Sequence, residues 1–228
     1  MRSLVALILV LFASPHAVSE TIAIIGTGEV AGALGPEFAA QGHTIVYGSR
    51  DPTRAEVGQL IERTGRHASA TTPMDSVKGA DIVVLAVPGL LVDQITRSLG
   101  DLSGKIIIDP TNPLNRSPGR IEHAVATSNA EIIQTAAPGA HVVKAFNALN
   151  WKTMVDPESS GGPVSIPLAG NNDDAKRVVA RLVEGMGLEA IDVGPLAHAR
   201  WVEGMLILWI NNRYGGGESF DYHLRKTD

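Results

Sequence analysis

No cysteine occurs among the 228 residues. That excludes a disulfide framework, a thiolate metal site, an iron–sulfur cluster and a cysteine nucleophile. Aromatic residues make up only 4% of the chain, which suits neither a stacking platform for single strands nor a carbohydrate groove. Basic side chains number 19 against 24 acidic ones. The resulting net charge of −5 excludes the basic footprint expected of a nucleic-acid binder. The histidines (16, 43, 67, 123, 141, 198 and 223) include no pair three or four residues apart, so no helical zinc pair is encoded. A GxSxG elbow is absent, which removes the common hydrolase reading. What remains is a chain 44% hydrophobic with 24 glycines, enough apolar material for a substantial core.

The first nineteen residues differ from the rest. Arg2 precedes ten unbroken apolar residues, 4–13 (LVALILVLFA), and Ala17-Val18-Ser19 places small residues at −3 and −1 of a cleavage site. This is the order of a secretory signal peptide. As a helix the apolar run spans about 15 Å, half of a roughly 30 Å hydrocarbon core. The reading is therefore a signal over residues 1–19, a periplasmic or secreted protein, and no stable membrane span after cleavage. The alternatives are an uncleaved anchor or a misassigned start, which would make the protein cytoplasmic.

From Thr21 the chain alternates short β-branched runs with helical patterns, the arrangement of a parallel sheet covered on both faces. Strands are expected over 21–26, 44–48, 81–87, 105–109, 142–146, 164–169 and 188–193. Helices are expected over 29–41, 52–64 with Asp51 as N-cap, 91–99, 173–186 and 196–212, with a capping-box start at Thr72-Pro73-Met74-Asp75. The fold class is α/β: a Rossmann-type, doubly wound, mainly parallel sheet with a small C-terminal α/β extension. Residues 20–150 form the nucleotide-binding domain and 151–228 a smaller part packed on it. After Gly215-Gly216-Gly217, alternating Phe220, Tyr222 and Leu224 suggest a closing strand. Trp201, Met205, Leu208, Trp209 and Asn212 fall at helical spacing. So broad an apolar face belongs in the core, at a homodimer interface or under a bound ring.

Gly26-Thr27-Gly28-Glu29-Val30-Ala31 is a GxGxxA run between an apolar strand and an amphipathic helix. Gly26 permits the tight turn, Gly28 lets backbone approach a pyrophosphate, and the helix N-terminus offers unpaired N–H groups. An NAD site usually carries an acid about 20 residues further on. Here Ser49 and Arg50 follow the second strand, with Arg54 one turn later. A hydroxyl and guanidinium groups there suit the 2′-phosphate of NADP. Asp51 is the rival determinant. Val87 and Pro88 end a further strand, and Asp109-Pro110-Thr111-Asn112 and Lys144-Ala145-Phe146-Asn147 end two more. All point to the carboxyl ends of the strands, where open α/β sheets bind ligands. Lys144 either adds an amine to that rim or forms a salt bridge.

The segments GTGEVAGAL, VYGSRDPTR, VVLAVP, VVKAFNAL and AGNNDDAKRVVARLVEGMGLEAIDVGPLAHARWVEGM resemble the coenzyme F420-dependent NADP oxidoreductases in the same order. They also resemble the NADPH-binding domain of the STEAP metalloreductases. The resemblance implies NADP contacts at Thr27, Gly28, Glu29, Val30, Ser49, Arg50 and Arg54, with later ones at Val87, Asn112 and the Asn147–Trp151 stretch. It further implies direct hydride transfer between NADP(H) and a deazaflavin (F420) or flavin-like acceptor. Apposed rings in a dry cleft accomplish this without a catalytic residue. The expected partner is thus a small-molecule hydride acceptor. An exported protein would sit apart from the cytosolic F420 pool, which brings a flavin, a quinone or a metal chelate into consideration. The other readings are an imine or ketone reductase on this fold, and a non-catalytic NADP-binding sensor or scaffold.

Overall fold

The computed structural model describes residues 19–218 and 220–227. The signal assignment, apart from Ser19, lies outside the described residues. Strand β1 (Thr21–Ile25) runs into α1 (Glu29–Ala40), followed by β2 (Thr44–Gly48), α2 (Ala55–Thr64), β3 (Ala68–Thr71) and the single turn α3 (Pro73–Ser76). Next come β4 (Ile82–Leu85), a short 3-10 turn at Gly89–Leu91, α4 (Val92–Ser98) and β5 (Ile106–Asp109). A hairpin of β6 (Leu114–Ser117) and β7 (Arg120–His123) precedes α5 (Asn129–Ala136) and β8 (His141–Lys144). The chain ends with α6 (Trp151–Val155), β9 (Ser165–Gly170), α7 (Asp173–Gly185), β10 (Glu189–Asp192) and α8 (Ala199–Gly215).

Eight strands form one sheet in the order β10-β9-β8-β5-β4-β1-β2-β3. All neighbours are parallel except β8 and β9. The chain starts at β1, winds outward to β2 and β3, then returns to β4 on the other side. This reversal places a topological switch point between β1 and β4.

Period-two alternation makes both sheet faces apolar. Ile22 and Ile24 of β1 pack with Leu34, Phe38, Tyr47 and Leu182 on one face. Ala23 and Ile25 pack with Val83, Leu85, Leu99 and Ile133 on the other. A separate cluster of Leu206, Trp209 and Ile210 seats α8 against Leu114 and Ile121 of the hairpin.

Three expectations need correction. Helix α2 begins at Ala55, because the Asp51 carboxylate accepts from Thr53 N at 3.0 Å and Thr53 Oγ1 at 2.7 Å and so closes a local turn. The hairpin β6–β7 falls where no strand was expected, and its turn is Pro118-Gly119, with Gly119 at φ +75°. No strand forms over 220–224. That tail is tied down by side chains instead: Tyr222 Oη donates to Met205 O at 2.8 Å, and Trp209 Nε1 to Asp221 at 3.1 Å. The N-cap half of the capping box does form, with Thr72 Oγ1 accepting from Asp75 N, while the Asp75 carboxylate accepts from the Thr72 hydroxyl at 2.7 Å.

Candidate functional site

At the switch point the carboxyl ends of β1, β2 and β4 open into a cleft of about 770 Å³. That volume lies within the roughly 300–1,000 Å³ of small-molecule sites. Its floor is the turn after β1. Gly26 has φ +112°, and a Cβ there would lie 2.2 Å from Ala86 O. Only glycine allows β1 and β4 to approach so closely.

Gly28 is the N-cap of α1 and offers no side-chain cap. The helix therefore begins with unpaired N–H groups and its positive dipole end bare. A Cβ on Gly28 would meet nothing within 4 Å. The space above the helix start is open, and a phosphate fits the unpaired donors there. Glu29 and Val30 belong to the first turn of α1 but do not line the cleft.

The end of β2 supplies the second wall through Ser49, Arg50, Asp51 and Arg54. Arg50 is exposed on that wall, whereas Ser49 is buried. Arg54 Nη2 donates to Thr27 Oγ1 at 3.1 Å and so joins this wall to the glycine turn. The Ser49 hydroxyl donates to Asp51 O at 2.9 Å. The two Thr53 bonds hold the Asp51 carboxyl below its ordinary range, so this carboxylate is bound into its own turn. Val87 and Pro88 form the β4 side.

The structure brings Gly26, Thr27, Gly28, Ser49, Arg50, Arg54, Val87 and Pro88 to one cleft. It adds Pro73 from α3 and Leu91, Gln94, Ile95 and Ser98 from the α4 side, none of them expected. The only signal in the sequence was the 3-1-3 spacing of those last four residues, which reads equally as an ordinary amphipathic helix.

Asn112 and Asn147 do not line the cleft. Their amides interlock: Asn112 Nδ2 donates to Asn147 O at 3.0 Å, and Asn147 Nδ2 to Asn112 Oδ1 at 3.0 Å. Asn147 Oδ1 is buried without a donor. The preceding residue, Phe146, has φ +60°, a strained value that often marks functional segments. Asn150 caps α6. Leu149 lines a second cavity of about 370 Å³ with Thr153, Trp209, Arg213 and Tyr222.

Lys144 does not contribute an amine to the rim. Its Nζ lies 2.8 Å from Asp109 Oδ2 and 2.7 Å from Glu203 Oε1, and it donates to Thr111 O. All three charged side chains are fully buried. The apolar stripe of α8 is divided: Trp209 is buried, while Trp201 and Leu208 are 71% and 60% exposed. Among the described residues no cluster of metal-ligating side chains occurs, and no helix is long and apolar enough to cross a membrane.

Comparison with known proteins gives four findings. The family model described as NADP oxidoreductase coenzyme F420-dependent matches residues 21–113. The F420-dependent NADP reductase of Methanothermobacter thermautotrophicus is 32% identical over 210 residues, covering 83% of this chain and 88% of that protein. A crystal structure of a putative F420-dependent NADP reductase from Arthrobacter sp. FB24 superposes with a TM-score of 0.82 at 32% identity, over 91% of this chain and all of that one. Metalloreductase STEAP3 of Rattus norvegicus is 31% identical over 183 residues, but this chain spans only 35% of its length.

Proposed function

We propose, from the premise that this chain belongs to the coenzyme F420-dependent NADP oxidoreductase family, that its cleft binds NADP(H) for hydride exchange with a deazaflavin or flavin-like acceptor. The family is one of NADP-binding oxidoreductases, and the sheet is the Rossmann type. The observation that carries the reading is the bare N-terminus of α1, open above Gly28 and flanked by Ser49, Arg50 and Arg54.

In this reading the open start of α1 at Gly28, with Thr27, holds the pyrophosphate. Arg50, Ser49 and Arg54 hold the 2′-phosphate, with the Ser49 hydroxyl turning from Asp51 O to the ligand. Val87 and Pro88 guide the chain of the dinucleotide toward the Asn112–Asn147 pair. Bound NADPH supplies the hydride. The protein orients the rings and excludes water, and it uses no acid–base dyad. Residues 20–150 serve as the nucleotide-binding part. Residues 1–19 serve as an export signal, which places the protein in the periplasm or outside the cell. A homodimer through the exposed face of α8 belongs to the same reading.

NADPH oxidation followed by absorbance, with F420, FMN and FAD offered in turn, tests the proposal. Turnover with at least one acceptor that disappears in Gly28→Val is the expected result. NADPH binding without turnover on any acceptor would favour the sensor reading.

A further inference from the structure

The buried charges behind the cleft form one connected cluster. Asp109 at the end of β5 accepts from Thr111 N and Thr111 Oγ1 on one oxygen and from Lys144 on the other. Glu203 of α8 accepts from Lys144 and from Asn129 N at 2.9 Å on Oε1, and its Oε2 lies 2.7 Å from His123 Nε2. Asn129 Nδ2 donates both to Thr111 Oγ1 at 2.8 Å and to Gly89 O at 2.9 Å. Gly89 follows Pro88 of the cleft wall, so a short hydrogen-bonded path joins the cluster to the cleft.

The protons of this cluster can be counted. His123 Nδ1 lies 2.8 Å from the carbonyl of Val125, which only accepts, so Nδ1 carries a hydrogen. The other ring nitrogen faces a carboxylate oxygen. The 2.7 Å contact therefore holds a proton of its own, on His123 or on Glu203. With that proton the four side chains sum to zero charge; without it they sum to −1. Asp109, Lys144 and Glu203 are fully buried, while the His123 side chain is 17% exposed. His123 is the member that reaches water. Of the other charged groups on these elements, Arg120 pairs with Glu122, Glu131 with Ser128, Arg200 with the carbonyl of Ala126, and Arg213 lies over the Trp209 ring; Arg116 of β6 and His141 of β8 are also carried there.

We propose that the Asp109–Lys144–Glu203–His123 cluster sets the relative affinity of the cleft for oxidised and reduced NADP by exchanging one proton through His123. The inference rests on the nucleotide-binding reading of the cleft. Bound NADP+ would carry one more positive charge than bound NADPH, on its nicotinamide. A cluster that drops from zero to −1 offsets that new positive charge. Because the cluster lies in a low-dielectric interior, the field of a single charge is weakly screened.

Equilibrium titration with NADP+ and NADPH separately, at a series of pH values, tests this without turnover. In wild type the preference for NADP+ over NADPH should rise with pH by about threefold or more. His123→Gln should hold the preference flat at its high-pH value, because the cluster stays at −1. Glu203→Gln should lower the preference at high pH, because a negative charge is lost. A purely structural role would weaken both nucleotides together and leave their ratio unmoved. A flat ratio in wild type, or an unchanged pH dependence in His123→Gln, would overturn this inference alone. Failure of both nucleotides to bind wild type would overturn the cleft reading and this inference with it.

Discussion

At the β1–β2 end of the cleft the chemistry is carried by backbone and by exposed side chains. Gly26 turns the chain, Gly28 leaves α1 bare, and Arg50 faces outward. At the β5–β8 end it is carried by buried charges, with Lys144 held between Asp109 and Glu203 at full burial. The first end is built to receive an anion, and apart from Gly26 its exposed positions contribute little to holding the fold together. The second is satisfied internally, so a change there is felt by the fold before it is felt by a ligand.

The contrast can be broken most forcefully at Lys144. Lys144→Met leaves two carboxylates buried without their cation and should cost about 3–5 kcal/mol in urea unfolding. A loss below about 1 kcal/mol would mean that the cluster is not a structural element at all. Gly28→Val is the counterpart at the open end. NADPH binding should vanish, because the branched side chain fills the space over the helix start. Stability should stay within about 1 kcal/mol of wild type, since a Cβ there meets no atom within 4 Å. A large loss of stability with binding retained would reverse the two assignments.

Smaller effects sharpen the picture away from both ends. Asn172 caps α7 by accepting from Ala175 N at 2.8 Å. Asn172→Ala should therefore cost about 1 kcal/mol of stability with no change in NADPH affinity. A change in affinity would extend the site to the β9–α7 region. The mildest expected effect concerns His43, whose burial holds the imidazole below its ordinary value. As pH falls through the unfolded-state value of about 6.5, the unfolded chain takes up a proton that the folded chain resists. Stability contributed by the neutral ring is thus present above that value and lost below it. Denaturation midpoints measured against pH should fall less steeply on the acidic side in His43→Gln than in wild type. Parallel curves would show that His43 is not a source of the slope.

The same contrast explains what could be read from the sequence. TIAIIGTG and VYGSR are contiguous, so the strand, the turn and the side chains that face the ligand lie within a few residues of one another. Their placement followed from periodicity and turn chemistry. Lys144 meets Asp109 across 35 positions, and His123 meets Glu203 across 80. No local pattern encodes such pairings, so Lys144 remained undecided between an amine at the rim and an ion pair. The wall formed by Leu91, Gln94, Ile95 and Ser98 was hidden differently, because its helical spacing reads equally as an ordinary amphipathic helix. The hairpin is different: Pro118-Gly119 is a local turn signal, but its flanking strands are short and polar and lack the alternation that marks a strand. Asp51 was misplaced by three residues because its carboxylate found Thr53 nearer than the helix start.

The central claim is that the rim after β2 selects NADP, and cofactor titration of wild type and Arg50→Ala at fixed ionic strength tests it most directly. A charge-assisted bond contributes about 1.5–3 kcal/mol, and 1.4 kcal/mol is about tenfold in affinity. Wild type should bind NADPH at least about tenfold more tightly than NADH. Arg50→Ala should lose about that factor for NADPH and almost nothing for NADH, which has no 2′-phosphate. Equal losses for both cofactors would assign Arg50 to the fold, and a wild-type preference for NADH would contradict the account.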